Sequence, residues 1–284
     1  MAVTKRKPPE KKDSPKQTVR QKVGNLSLPT GPTKAKQNLY EYTMLLYGER
    51  KIGKTSLASQ FEDPLFFMFE PGGASLEARQ VTIPNWEHFV EYLSLLEANP
   101  GYCKTVVIDT GAMAYDMCLE HVCAREGMIH PSDEEYGKGW KLVSDEFKKA
   151  HKRIFNMGLA FIVTAHSDIK SVQRRDGTKY HKLTVDLGGS SFKYYCGVVD
   201  IIAYYQYDAD NSRMLTIRGD ANLEAGVRCK KNFEYSDGTP VVNIPMGDSE
   251  EESYDNFVKA FNNEMGGVPK KKTIKKKTIT KKRS

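Results

Sequence analysis

The stretch Thr43-Met44-Leu45-Leu46-Tyr47-Gly48-Glu49-Arg50-Lys51-Ile52-Gly53-Lys54-Thr55 joins an apolar run of strand length to a helical pattern through a loop bounded by two glycines. It matches the P-loop pattern, G-x-x-x-x-G-K-[ST], at every fixed position and in the required strand, loop and helix context. The chemistry follows from the residue types. Gly48 and Gly53 let the backbone curl so that successive N–H groups face a β-phosphate, and the helix that opens at Lys54 adds the partial positive charge of its N-terminus. Lys54 is expected to bridge the β- and γ-phosphates and Thr55 to ligate Mg2+. Gly48, Glu49, Arg50, Lys51, Ile52, Gly53, Lys54, Thr55 and Ser56 are therefore read as the segment that binds ATP.

A P-loop needs an acid at the carboxyl end of a neighbouring apolar strand to hold the metal's water shell, and Thr105-Val106-Val107-Ile108-Asp109 supplies Asp109. Thr55 and Asp109 are thus the expected Mg2+ pair. A second carboxylate stands at the end of Leu65-Phe66-Phe67-Met68-Phe69-Glu70, just before Pro71-Gly72-Gly73. Glu70 reads either as the group that orients and deprotonates an attacking water or as a solvated turn residue.

Working outward, strand-like runs at Thr43–Tyr47, Leu65–Phe69, Thr105–Ile108, Leu159–Ala165 and Val198–Tyr205 have few polar interruptions, as buried parallel strands do. Helical patterns over Lys54–Phe61, Trp86–Ala98, Tyr115–Glu126 and Glu134–Met157 fall between them. The alternation predicts a layered α/β domain with a mainly parallel sheet. Hairpins are expected after Val198: Tyr204–Tyr207 with Met214–Arg218, and Glu234–Ser236 with Val241–Ile244. A closing helix is expected over Glu250–Glu264.

The combination of Gly48–Thr55, Phe69-Glu70-Pro71-Gly72, Val107-Ile108-Asp109-Thr110 and Phe161-Ile162-Val163-Thr164-Ala165-His166 resembles the phage-encoded RecA-like ATPases of the single-strand annealing and recombination type. The resemblance covers most of residues 40–245. In ATPases of the AAA+ kind the hydrolytic glutamate directly follows the strand-end Asp, where this chain has Thr110 and Gly111, whereas RecA-like ATPases carry theirs where Glu70 stands. The resemblance implies a three-layer P-loop NTPase fold and Mg-dependent ATP hydrolysis on single-stranded DNA in phage recombination, replication or repair. It further implies a ring or filament of identical subunits and a single-stranded-DNA-binding protein as a partner. By the same resemblance His166 is a sensor of the γ-phosphate; as a residue it reads equally as a strand-end histidine packed against the sheet. Arg228, Lys230 and Lys231 are candidates for the cation that completes a neighbouring subunit's site, with plain surface cations as the alternative.

The segment after His166 reads as a hairpin, Ser171–Arg175 and Thr178–Leu183 around Asp176-Gly177. Lys170, Arg174, Arg175, Lys179 and Lys182 surround Tyr180, a pattern that offers phosphate contacts and a stacking platform to single-stranded DNA, or else a charged hairpin without a partner.

The 284 residues carry 43 Lys and Arg against 36 Asp and Glu, a net charge of +7, but the excess is not in the core. Residues 1–38 hold ten bases against two acids and residues 266–284 nine against none, which leaves 39–265 at −10. The pattern predicts a disordered basic tail over 1–38, an ATPase domain over 39–265 and a disordered Lys-rich tail over 266–284. No stretch approaches the roughly 20 apolar residues of a membrane span. The charged opening Met1–Lys7 lacks an apolar segment behind it, so the expected place is a reducing cytoplasm, that of a bacterial host, with five free thiols. Two other functions fit the P-loop. One is a nucleotide or small-molecule kinase with Arg174 and Arg175 as lid arginines, the other a non-hydrolysing, nucleotide-dependent interaction module.

Overall fold

The computed structural model describes residues 29–229 and 231–267. Lys230 and most of both basic tails lie outside the described residues, and with them the disorder expected of the tails. The chain divides into a unit up to Lys36, whose described part is irregular, and a unit from Gln37 onward that holds every element named below.

The strands are β1 (Thr43–Gly48), β2 (Pro64–Met68), β3 (Arg79–Thr82), β4 (Thr105–Asp109), β5 (Ala160–Gln173), β6 (Lys179–Val185), β7 (Ile201–Tyr207), β8 (Arg213–Thr216), β9 (Gly226–Val227) and β10 (Asn243–Pro245). The helices are α1 (Lys54–Ser59), α2 (Trp86–Ala98), α3 (Gly111–Glu126), α4 (Lys138–Asn156), α5 (Gly189–Val198) and α6 (Glu250–Phe261). The sheet runs in the order β10-β8-β7-β1-β5-β4-β2-β3. From β7 to β3 neighbouring strands are parallel, and β8 and β10 extend the β7 edge through antiparallel pairing.

Alternation along each strand sorts the core into two layers. Leu45, Phe67, Val106, Ile108, Phe161 and Val163 face Trp86, Phe89, Phe147 and Ile154 on α2 and α4. Met44, Leu46, Phe66, Val107 and Ile162 point the other way, toward Leu57 on α1 and Phe257 and Phe261 on α6. Burial of each large side chain contributes roughly 1.5–3 kcal/mol, so the two layers together hold the sheet between its helices. This is the expected three-layer α/β architecture with a mainly parallel sheet.

One polar group is built into the first layer. The His151 imidazole is fully buried; its Nδ1–H donates to the Phe147 carbonyl (2.8 Å), and the Tyr195 hydroxyl donates to Nε2 (2.7 Å). The two partners fix a neutral tautomer, and burial pushes the imidazole down to about 4.

Several boundaries differ from those expected. Helix α3 begins at Gly111 rather than Tyr115, because Thr110 turns the chain directly off β4. The helix expected from Glu134 starts at Lys138, after two short 3-10 turns and a Tyr136 in the left-handed region (φ 54°) that an α-helix cannot contain. Val198 closes α5, a helix absent from the sequence reading, so that strand starts at Ile201. Val241–Ile244 does not form a hairpin with Glu234–Ser236: β10 pairs with β8, leaving a turn with a single bridge between Glu234 and Pro240. Strand β5 runs seven residues past His166, and its outer half pairs with β6 as a ribbon that leaves the main sheet. Among the described residues no helix is long and apolar enough to cross a membrane.

Candidate functional site

The P-loop leaves the carboxyl end of β1, where Gly48 lies beside His166 of β5 and Tyr205 of β7. A Cβ on Gly48 would sit 2.0 Å from the Tyr205 carbonyl oxygen, so the strand can end against β7 only as glycine. Gly53 takes φ +107°, a conformation that side chains resist, and hands the chain to α1. Ile52 is buried and anchors the loop from below, while Glu49, Arg50 and Lys51 are exposed. Thr55 and Ser56 follow in the first turn of α1, whose leading N–H groups have no partner within the helix, and both residues line the cleft.

Lys54 is 7% exposed and donates to the carbonyls of Gly48 (3.1 Å) and Glu49 (2.6 Å). Burial pulls its ammonium down to about 8, against the opposing pull of Asp109 and Glu70. The lysine is thus held across its own loop by carbonyls, the interaction a phosphate would replace.

Asp109 ends β4 and is held by both oxygens. Thr55 Oγ1 donates to Oδ2 (2.8 Å) and Thr164 Oγ1 to Oδ1 (2.6 Å). Thr55 and Asp109 offer only hard oxygen donors beside a phosphate-binding loop, which suits Mg2+, an ion that takes one or two protein oxygens and completes its shell with water and phosphate. Thr164 is the residue the sequence reading passed over. It sits on β5 two positions before His166, fully buried, and its polarity in the middle of Phe161–Ala165 was the available signal.

Glu70 follows β2, the strand beside β4, and the N–H groups of Phe69 and Glu70 both donate to the Asp109 carbonyl (2.7 and 3.3 Å). The Thr110 hydroxyl donates to Glu70 Oε1 at 2.5 Å. His166 Nε2 stands 3.9 Å from Glu70 Oε2, an electrostatic contact rather than a hydrogen bond, and its Nδ1 is buried without a partner. Burial, reinforced by the Lys54 charge and opposed by Glu70, lowers the His166 imidazole below its ordinary value. Lys54, Thr55, Glu70, Asp109, Thr110 and His166 all line one cleft of about 620 Å³, a size that accommodates a nucleoside triphosphate.

The ribbon of β5 and β6 starts at this cleft: Asp186 N–H donates to the His166 carbonyl, and pairing runs from Ser167 with Val185 to Gln173 with Lys179. Its cations are not arranged around an open Tyr180. Arg174 lies over the Tyr180 ring (4.6 Å), Lys170 over Phe192 (5.2 Å), and Lys182 is ion-paired with Glu224 (2.5 Å). Strand alternation puts Lys179, opposite Gln173, on the other face. The turn with Arg174 and Arg175 is roughly 25 Å of strand away from His166.

Arg228 lies just past β9, which pairs with the amino end of β7, the end opposite the P-loop. Its guanidinium donates to the Gly197 carbonyl (2.7 Å) in the last turn of α5. Arg228 therefore takes no part in its own chain's cleft. Lys231 is exposed nearby, and Lys230 is outside the described residues.

No curated protein matches the chain in sequence. Among solved structures it is similar to a KaiC-like protein of the hyperthermophilic archaeon Pyrococcus horikoshii, with 15% identity over 74% of this chain and 87% of that one and a TM-score of 0.44. The sequence pattern of the AAA domain matches residues 40–229, from just before β1 through Cys229. That match spans about two thirds of the chain and contains the P-loop, Glu70, Asp109 and the ribbon, and the chain belongs to the AAA domain family.

Proposed function

We propose that this protein is a Mg-dependent ATP hydrolase whose turnover is coupled to single-stranded DNA on the β5–β6 ribbon. The observation that carries the hydrolytic part is Glu70, held beside Asp109 at the mouth of the P-loop with one carboxylate oxygen fixed by Thr110 and the other facing the cleft. In this reading the P-loop amides and Lys54 hold the phosphates, and Thr55 and Asp109 hold Mg2+, which neutralises phosphate charge when bound. Glu70 accepts the proton of the attacking water, and His166 senses the γ-phosphate from the first position before the ribbon.

The DNA part rests on continuity: the ribbon is the same strand that carries Thr164 and His166. It also rests on cations that a polyanion would draw from their present partners. The resemblance to phage-encoded RecA-like ATPases extends the proposal to recombination, replication or repair of a phage in the bacterial cytoplasm. With it come a ring or filament of identical subunits, completed across the interface by Arg228, Lys230 or Lys231, and a single-stranded-DNA-binding protein as partner. A kinase would need Arg174 and Arg175 over the transferred phosphate, whereas both stand at the ribbon's tip.

ATP turnover with and without single-stranded DNA tests the proposal, with Glu70→Gln alongside. The expected result is DNA-stimulated turnover in the wild type, and in Glu70→Gln retained ATP affinity with most of kcat lost. Normal hydrolysis by Glu70→Gln returns that residue to a turn glutamate, and turnover indifferent to DNA removes the ribbon's role.

A further inference from the structure

Thr110 occupies the N-cap of α3, the position where a threonine hydroxyl ordinarily accepts from an N–H of the first helical turn. It makes no such cap. Its hydroxyl donates instead to Glu70 Oε1 at 2.5 Å, and the residue is only 3% exposed. The same residue follows Asp109, the position at which AAA+ ATPases place their own hydrolytic glutamate.

We propose that Thr110 is a positioning residue for ATP hydrolysis: it holds the Glu70 carboxylate in the orientation that activates water. The inference rests on the reading of Glu70 given above. A glutamate side chain at the end of a strand has several rotamers, and only some place an oxygen opposite the γ-phosphate. Two contacts restrict this one. The Glu70 N–H is fixed to the Asp109 carbonyl (3.3 Å), which sets where the side chain starts. The Thr110 hydroxyl then fixes Oε1, leaving Oε2 toward His166 and the cleft as the oxygen free to accept a proton. Because Asp109 and Thr110 are consecutive, the metal-holding acid and the group that aims the base move as one unit. Thr110 acts in this reading only through Glu70, although both line the cleft.

The test uses the full chain and compares Thr110→Val, which keeps the buried shape, with Thr110→Ser, which keeps the hydroxyl. Thr110→Val should lower kcat by about 10- to 100-fold, the scale expected when a reacting group is misplaced by an ångström. Affinity for a non-hydrolysable ATP analogue and the Mg2+ dependence should stay within about twofold of wild type, and Thr110→Ser should recover most of the rate. In a Glu70→Gln background, single-turnover hydrolysis should not change when Thr110→Val is added, since the hydroxyl acts through a carboxylate that is no longer there. If valine is not accommodated, Thr110→Ala against Thr110→Ser carries the same comparison. Wild-type kcat in Thr110→Val together with an impaired Glu70→Gln overturns the positioning role alone. Undiminished hydrolysis in Glu70→Gln overturns the reading of Glu70, and the inference with it. Parallel loss of analogue affinity and rate makes Thr110 a structural residue.

Discussion

The Tyr47 hydroxyl donates to the main-chain carbonyl of Glu224 at 2.5 Å, tying the residue before the P-loop to a segment that is itself fastened to the ribbon. The Glu224 N–H donates to the Leu183 carbonyl, the Leu183 N–H to the Asn222 carbonyl, and the Glu224 carboxylate pairs with Lys182. A contact on β6 is therefore two bonds from the strand that enters the nucleotide site. The carboxylate occupies Lys182 as a phosphate would.

Removing that carboxylate frees the cation without disturbing the backbone bonds. Glu224→Gln should tighten single-stranded DNA binding several-fold and steepen the salt dependence by about one counterion. Fluorescence anisotropy over a salt series reads both. An unchanged slope would show that Lys182 does not meet the strand.

The nucleotide site separates binding from chemistry. Lys54→Ala removes the one side-chain cation that the loop buries, so turnover should fall below detection and ATP affinity should weaken. Asp109→Asn leaves Thr55 and Thr164 in place but removes the only formal charge of the metal pair, and excess Mg2+ should restore part of its activity. Mg2+ titrations of ATPase rate distinguish the two, since Lys54→Ala has no metal deficit to correct.

His151 makes stability depend on pH in a defined window. Its imidazole is held at about 4 when folded against an ordinary 6.5, so between these values the unfolded chain binds a proton that the folded chain refuses. The contribution is fully present above pH 6.5 and is lost as pH falls toward 4, about 3 kcal/mol in all. Below pH 4 it changes no further. Denaturant unfolding at a series of pH values should show this slope in the wild type and a shallower one in His151→Gln, which can still bond to Phe147 and Tyr195. Equal slopes in the two proteins would exclude His151 as the source.

The layered fold was legible because its signals are short-range. Strand-length apolar runs with alternating faces define β1, β2, β4 and the inner half of β5, and the P-loop spacing places the phosphate site at the end of the first. Asp109 and Glu70 were legible for the same reason, each being a carboxylate directly at the end of such a run. Helix α5 was not, because Gly189, Ser190, Ser191 and Gly197 are poor helix formers that tertiary packing of Tyr195 overrides. The pairing of β10 with β8 was hidden by a nearer Asp237-Gly238 turn signal that the fold uses only for a single bridge. Thr110 and Thr164 stood in the quoted motifs without a role: Thr164 in its strand reads as β-propensity and Thr110 as a helix cap, and each hydroxyl acquires meaning only when a neighbouring segment brings a carboxylate to it. The ribbon's cations were visible one by one, but their partners Phe192 and Glu224 come from distant segments.

Arg228 offers a test of assembly that does not depend on DNA. In its own chain it bonds the Gly197 carbonyl at the end of the sheet opposite the P-loop, so Arg228→Ala should cost the fold only about 0.5–1.5 kcal/mol. If the guanidinium completes a neighbour's site in a ring or filament, Arg228→Ala should nevertheless abolish ATP turnover. Lys54→Ala fails at its own P-loop while keeping Arg228 intact, so the two dead proteins have complementary defects. Mixed in equal amounts, they should form sites that combine the P-loop of one with the arginine of the other at about a quarter of head-to-tail interfaces, and activity should return to that extent. Activity retained by Arg228→Ala alone leaves the residue as a cap on α5. Inactive Arg228→Ala with no recovery on mixing places its effect within one chain and removes the shared-site arrangement.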